Sequence, residues 1–193
     1  MEGDSRPVIP RRLLVGTLVR LGAIREVDVD ALVAWTEDGR ADRLGGSGPS
    51  YPWPETAQKS WWADRLKSTQ DHHFAIRLLD EHNSLVGTLG FTSIEWSNRV
   101  AELSITVPDP SRWGKGYGTE AISLAVEFGF EEMNLHRIQL SVFSYNTRAL
   151  RAYERVGFVR EGVLREYLAR DGRRHDMIVL GLLAEEWRAS RPT

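Results

Sequence analysis

The chain contains no cysteine. That absence removes disulfides, thiolate metal sites and any cysteine nucleophile, so no acyl-cysteine can form on it. It fits a reducing compartment, and a cytoplasmic protein is expected. No apolar run approaches the ~20 residues of a membrane-spanning helix, so no membrane association is expected either. An excess of basic charge is also lacking: 25 Lys and Arg face 27 Asp and Glu, for a net charge of -2. This argues against general nucleic-acid binding, which needs a basic surface to displace counterions. Clustered metal ligands are missing too. His72 and His73 stand without companions and read as the entry to a strand, so no metal is expected. The first residues, MEGDSRPVIPRRLLVG, place acids ahead of bases around a brief apolar stretch and make a poor leader. Residues 1–16 are expected to be a flexible arm preceding one domain over 17–193.

What is present suits one globular domain: 193 residues, 41% of them hydrophobic. Alternating or apolar runs predict strands at 18–21, 74–79, 85–95, 101–107, 138–142, 159–167 and 174–183. Apolar residues at helical spacing predict helices over 28–35, 55–67, 117–133 and 146–156, with a loop at Gly45-Gly46-Ser47-Gly48-Pro49. Asn146 reads as an N-cap and Gly157 as a C-terminal stop. The order implies an α/β domain of the α+β type. Its mixed, mostly antiparallel sheet has about six to seven strands flanked by about four helices.

The densest motif is SRWGKGYGTEA, residues 111–121, where Gly114, Gly116 and Gly118 separate a strand from a helix. A dinucleotide fold wants G-x-G-x-x-G after its first strand, and a P-loop wants Ser or Thr after Gly-Lys. Here the spacing is G-x-G-x-G, and Gly116 follows Lys115. A simpler phosphate site remains: the unpaired amides and positive dipole end of a helix, left open by glycines. A tight turn with no ligand is the competing reading.

Trp113-Gly114-Lys115-Gly116-Tyr117-Gly118-Thr119-Glu120-Ala121 resembles the coenzyme A pyrophosphate loop of the GNAT N-acetyltransferases. More narrowly it is similar to the RimJ/RimL branch, which acetylates ribosomal-protein N-termini. Gly116 and Gly118 fill the glycine positions of the pattern Gln/Arg-x-x-Gly-x-Gly/Ala, and Trp113 stands in place of Gln or Arg. The segment 146–158, NTRALRAYERVGF, resembles the family's Asn-x-x-Ser-x-x-x-Tyr-Glu-x-x-Gly-Phe. Ala149 replaces the frequent serine. Nearly all the chain from Leu18 onward is covered by the likeness.

The resemblance implies acetyl transfer from acetyl-CoA to an amine by direct attack in a ternary complex. It implies contacts to acetyl-CoA from the backbone of Ile105, Thr106 and Val107, from Arg112 to Thr119 including Lys115, and from Asn146. Arg151 and Arg148 are candidates for its phosphates. Tyr153 is the implied donor to the leaving thiolate, with core packing as the alternative. Glu102, on the polar face of its strand, is the candidate base, with a solvated face or a salt bridge as the alternative. Ser104, Glu161 and Asp176 are weaker candidates. The N-terminal helices hold Tyr51, Trp53, Trp61 and Trp62, which would line an acceptor slot or pack on the sheet. A protein or peptide amine is the expected acceptor. A polyamine, amino sugar or antibiotic is the alternative, as is a CoA-binding sensor without turnover. Relatives are often dimers, so a homodimer is an expectation by analogy.

Overall fold

Strands and helices alternate along the chain largely as the apolar patterns dictate. The computed structural model describes residues 12–37 and 39–191; residues 1–11 of the expected arm lie outside the described residues. In chain order the elements are β1 (Val19–Gly22), α1 (Val29–Ala34), α2 (Arg40–Gly45), α3 (Glu55–Lys67), β2 (His72–Leu78), β3 (Leu85–Glu95) and β4 (Val100–Thr106). There follow α4 (Tyr117–Glu131), β5 (Arg137–Phe143), α5 (Thr147–Val156), β6 (Val159–Arg170), β7 (Arg173–Leu183) and α6 (Ala184–Ala189). The sheet order is β1-β2-β3-β4-β5-β7-β6. Every neighbouring pair is antiparallel except β4 and β5, which α4 connects as a crossover. The expected α/β architecture is present, with α2 and α6 as two short helices beyond the four expected.

The core lies between the sheet and α4. Ala121, Ile122, Leu124, Ala125 and Phe130 recur at helical spacing and are buried against Phe91, Leu103, Ile138 and Leu140. On β4, Ala101 and Leu103 face this core while Glu102, Ser104 and Thr106 face the opposite side.

Two features position the site. First, β4 and β5 pair only at Val100–Arg137, Ala101–Ile138 and Glu102–Gln139. Beyond that point β4 stays on β3 as far as Thr106 and β5 stays on β7 as far as Phe143, so the sheet opens into a V. Backbone groups of β4 that face the gap are free to bind something else. Second, Glu120 in the first turn of α4 accepts from Thr17 N (2.8 Å), Thr17 Oγ1 (2.6 Å), Leu18 N (2.7 Å) and Val19 N (2.7 Å). Gly16 permits this approach, since a Cβ there would stand 2.5 Å from the carboxyl carbon.

Burial alone raises the Glu120 pKa, but the bonds from Thr17, Val19 and Leu18 together outweigh it and hold it below its ordinary value. A carboxylate with a depressed folded pKa contributes stability above its unfolded pKa and loses it as pH falls through the folded one. Glu120→Gln puts an amide donor among four donors. It is expected to cost about 1–3 kcal/mol at pH 7 by urea unfolding, with the difference from wild type shrinking below pH ~4. An unchanged difference at acid pH would contradict this.

Candidate functional site

Two cavities meet at β4. The first, about 330 Å³, fills the mouth of the V between β4, the loop before α4, and α5. α4 begins at Tyr117, directly after Gly116, which sits at φ 87° as its N-cap, with Gly114 at φ 72°. These left-handed conformations suit glycine and turn the chain so that the first amides of α4 lie open. A Cβ on Gly118 would come within 3.9 Å of Ile105 Cδ1 and 4.0 Å of Val107 Cγ2, so α4 approaches β4 closely here. The helix dipole makes this a place for anionic phosphate.

Of the residues expected at the donor site, Ile105, Thr106, Val107, Arg112, Trp113, Gly114, Gly116, Tyr117, Gly118, Thr119, Asn146 and Tyr153 line this one cavity. Three do not. Lys115 is exposed and off the cavity wall, between two lining glycines. Arg151 is exposed and off the cavity wall, and Arg148 and Arg155, seven apart and so on one helical face with Ala149 and Ala152, line it instead. Glu102 is exposed and lines neither cavity. Its pairing with Thr92 and Gln139 places it where the sheet is still closed, before the V opens.

Trp113 has two jobs that composition does not reveal. Its indole Nε1 donates to Val107 O at 2.7 Å, pinning the glycine loop to the end of β4. Its ring carries the Arg148 guanidinium, 3.5 Å from the centroid. Arg148 Nη1 is shielded from solvent and has no hydrogen-bond partner. An unpaired cationic N–H on the wall of a cavity suits a phosphate oxygen, so the residues present fit coenzyme A.

Asn146 caps α5 by accepting from Ala149 N at 3.3 Å, and its Nδ2 donates to Leu44 O at 3.3 Å, tying the cavity to α2. Tyr153 is buried, and burial pushes its pKa up to about 12. Glu161 is held below its usual pKa by Arg137, whose two nitrogens donate to its two oxygens at 2.6 and 2.5 Å. Asp176 accepts from Glu166 N at 2.9 Å. Glu161 and Asp176 are therefore ties of the final hairpin.

The second cavity, about 570 Å³, lies across β4 from the first. Trp35, Tyr51, Trp53, Trp61 and Trp62 supply its apolar wall; of the two alternatives for Tyr51, Trp53, Trp61 and Trp62, lining a cavity and packing on the sheet, these positions fit the first. Its polar groups include Thr36, Gln58, Arg65 and His73, and its one carboxylate among the described residues is Asp42. Ser104 and Thr106 line both cavities and mark where they join, and Ala41 of α2 is shared as well. The lid formed by α2 and the following loop is held by Arg170, which donates to Arg43 O at 2.5 Å, Gly46 O at 3.2 Å and Gly48 O at 3.1 Å. No group of residues suited to a metal ion exists among the described residues. No helix among them is long and apolar enough to cross a membrane.

Known proteins share this architecture and sequence. The spermidine N-acetyltransferase of Vibrio cholerae, solved with CoA and spermine, superposes with a TM-score of 0.78 at 24% identity, covering 88% of this chain and 98% of that one. An uncharacterized N-acetyltransferase, p20 of Bacillus licheniformis, is 33% identical over 118 residues, 61% of this chain and 65% of that protein. The V. cholerae spermidine N(1)-acetyltransferase sequence is 33% identical over 108 residues, 56% of this chain and 62% of its own. The matches to these two curated relatives thus span less than two thirds of their lengths. The uS5-alanine N-acetyltransferase of Escherichia coli is 26% identical over 140 residues, 68% of this chain and 71% of that protein. The likeness therefore reaches both ribosomal-protein and spermidine enzymes and does not single out the RimJ/RimL branch. The profile described as an acetyltransferase (GNAT) domain matches residues 19–159. The chain belongs to the GNAT acetyltransferase family.

Proposed function

We propose that the protein is an acetyl-CoA-dependent N-acetyltransferase whose acceptor is the α-amine of a peptide or protein N-terminus. The observation that carries the acceptor class is the second cavity: five aromatic residues and a single carboxylate line it. A polyamine carries several positive charges and calls for several carboxylates. A peptide N-terminus brings one amine and a side chain for the aromatic wall to cover. The protonation cost points the same way. At pH 7, freeing an α-amine of pKa near 8 costs about 1 kcal/mol, against about 4 kcal/mol for an alkylamine. With Glu102 outside the cavity, an acceptor that needs little help from a base is the better match.

The free amine would attack the thioester carbonyl of acetyl-CoA, forming the N–C bond and breaking the C–S bond, and the proton shed by the nitrogen would leave through water and end on the departing thiolate as the CoA thiol. Backbone N–H groups of β4 facing the open V are placed to polarise that carbonyl. Gly114, Gly116 and the first amides of α4, with Arg148 and Arg155, hold the phosphates. Tyr153, with a pKa near 12, keeps its proton. Giving that proton up to a thiolate of pKa ~8.5 is uphill by about 5 kcal/mol, so its phenol serves as a hydrogen-bond donor to the sulfur.

Thiol release from acetyl-CoA against peptides with aromatic N-terminal residues, polyamines and aminoglycosides tests this reading. Peptides are expected to exceed polyamines in kcat/KM by ~10-fold or more. The reverse order would establish a small-molecule acceptor, which the spermidine-acetylating relatives favour. CoA binding with no turnover on any amine would establish a sensor.

A further inference from the structure

One row of residues crosses the floor of the acceptor cavity: His73 on β2 pairs with Gly90 on β3, which pairs with Ser104 on β4. The imidazole lies over Gly90, where a Cβ would stand 2.4 Å from Nδ1. The ring thus leans toward Ser104, the residue shared with the donor cavity, whose strand is one spacing of about 4.8 Å beyond Gly90. His73 Nε2 lies 3.1 Å from Arg65 Nη1. A guanidinium only donates, so Nε2 accepts and a neutral ring carries its proton on Nδ1. Arg65 is itself held, its guanidinium 4.0 Å from the centre of the Trp61 ring. Burial, then the Arg65 charge and, more weakly, His72 pull the His73 pKa below its ordinary value. Asp71, 3.9 Å from Nε2, opposes them without prevailing. His73 is neutral at pH 7 on this balance, and among the described residues Nδ1–H has no hydrogen-bond partner.

We propose that His73 determines acceptor specificity by donating from Nδ1–H to an oxygen adjacent to the acceptor amine, the carbonyl of a peptide's first residue. This inference rests on the peptide reading above. With Arg65 occupying its lone pair, the ring offers an ammonium group nothing to donate to. A polyamine, with no oxygen, gains neither a hydrogen bond nor a charge partner from this row.

Phenylalanine amide and 2-phenylethylamine share an aromatic ring and a primary amine and differ in the carbonyl and in amine pKa, so the contact is read from how mutation changes their kcat/KM ratio, to which the pKa difference contributes equally in every variant. Wild type is expected to prefer the amide by ~10-fold or more in kcat/KM. His73→Ala should lower that preference by ~10-fold, and His73→Gln, which keeps an N–H donor, should restore part of it. Arg65→Met, which frees Nε2, should also reduce it. Independently of any acceptor, ¹⁵N NMR of the CoA-bound protein at pH 7 should report a neutral Nδ1–H imidazole at His73. A charged or Nε2–H ring overturns the inference. An amide preference left unchanged by His73→Ala overturns the role of His73 and leaves the peptide reading standing. Turnover of polyamines with none of peptides or the amide overturns both.

Discussion

Gly116→Glu is expected to abolish acetyl transfer, lowering kcat/KM for acetyl-CoA by ~10³-fold or more, with no calorimetric CoA binding at concentrations that saturate wild type. Gly116 is the N-cap of α4 and lines the donor cavity. A carboxylate there would sit on the amides proposed to receive the pyrophosphate, adding negative charge where the helix dipole favours an incoming anion. Backbone strain must be separated from charge, because φ at Gly116 is 87° and a Cβ would meet Leu18 Cδ1 at 3.1 Å. Gly116→Ala carries the strain without the charge and is expected to cost about 1–3 kcal/mol of stability while retaining measurable CoA binding. If Gly116→Glu binds CoA as wild type does, the donor site is elsewhere. If Gly116→Ala loses binding as completely as Gly116→Glu, geometry at this turn outweighs charge.

The second large effect is on stability. Asp28 and Arg77 are 6% and 5% exposed and joined at 2.5 Å, with the same Asp28 oxygen accepting from Arg25 N at 2.7 Å. This pair joins the turn before α1 to β2. Asp28→Ala leaves a buried guanidinium whose remaining bond is a long one, Nη1 to Asn83 O at 3.4 Å. The expected loss is about 3–5 kcal/mol in urea unfolding, the range for orphaning one partner of a buried pair. Replacing both, Asp28→Leu with Arg77→Met, removes both charges and should be less destabilising than Asp28→Ala alone. Additive costs would show that the two side chains act independently.

Much of this protein was legible from one dimension, and the exceptions have identifiable causes. Strand β4 showed itself because Ala101, Leu103, Ile105 and Val107 alternate with polar residues, and alternation is local to a strand. α2 escaped notice because Gly39 at φ 65° precedes it and Gly45 and Gly46 end it, a composition that reads as loop. Contacts from Arg170, Asn146 and Tyr145, more than a hundred positions away, fasten it. α6 likewise packs through Trp187, whose ring centre lies 5.4 Å from that of Phe130. Glu102 is on the polar face of β4, as alternation shows, but periodicity does not say where β4 and β5 part, so its position off both cavities was not visible. His73 stands at the entry to a strand, as its sequence indicates, but which neighbour its ring covers is not local. The available signal was Gly90 in the interior of β3, since a glycine inside a strand often marks a close approach, here by the imidazole.

The glycine turn at the first cavity was legible in sequence alone, because a glycine turn into a helix N-terminus is built within a few residues and its open amides follow from helix geometry. The acceptor side was decided by tertiary structure. Its walls come from α1, α2, α3, β2, β3 and β4 together, and no spacing within one segment records which side chains from six elements will face the same space.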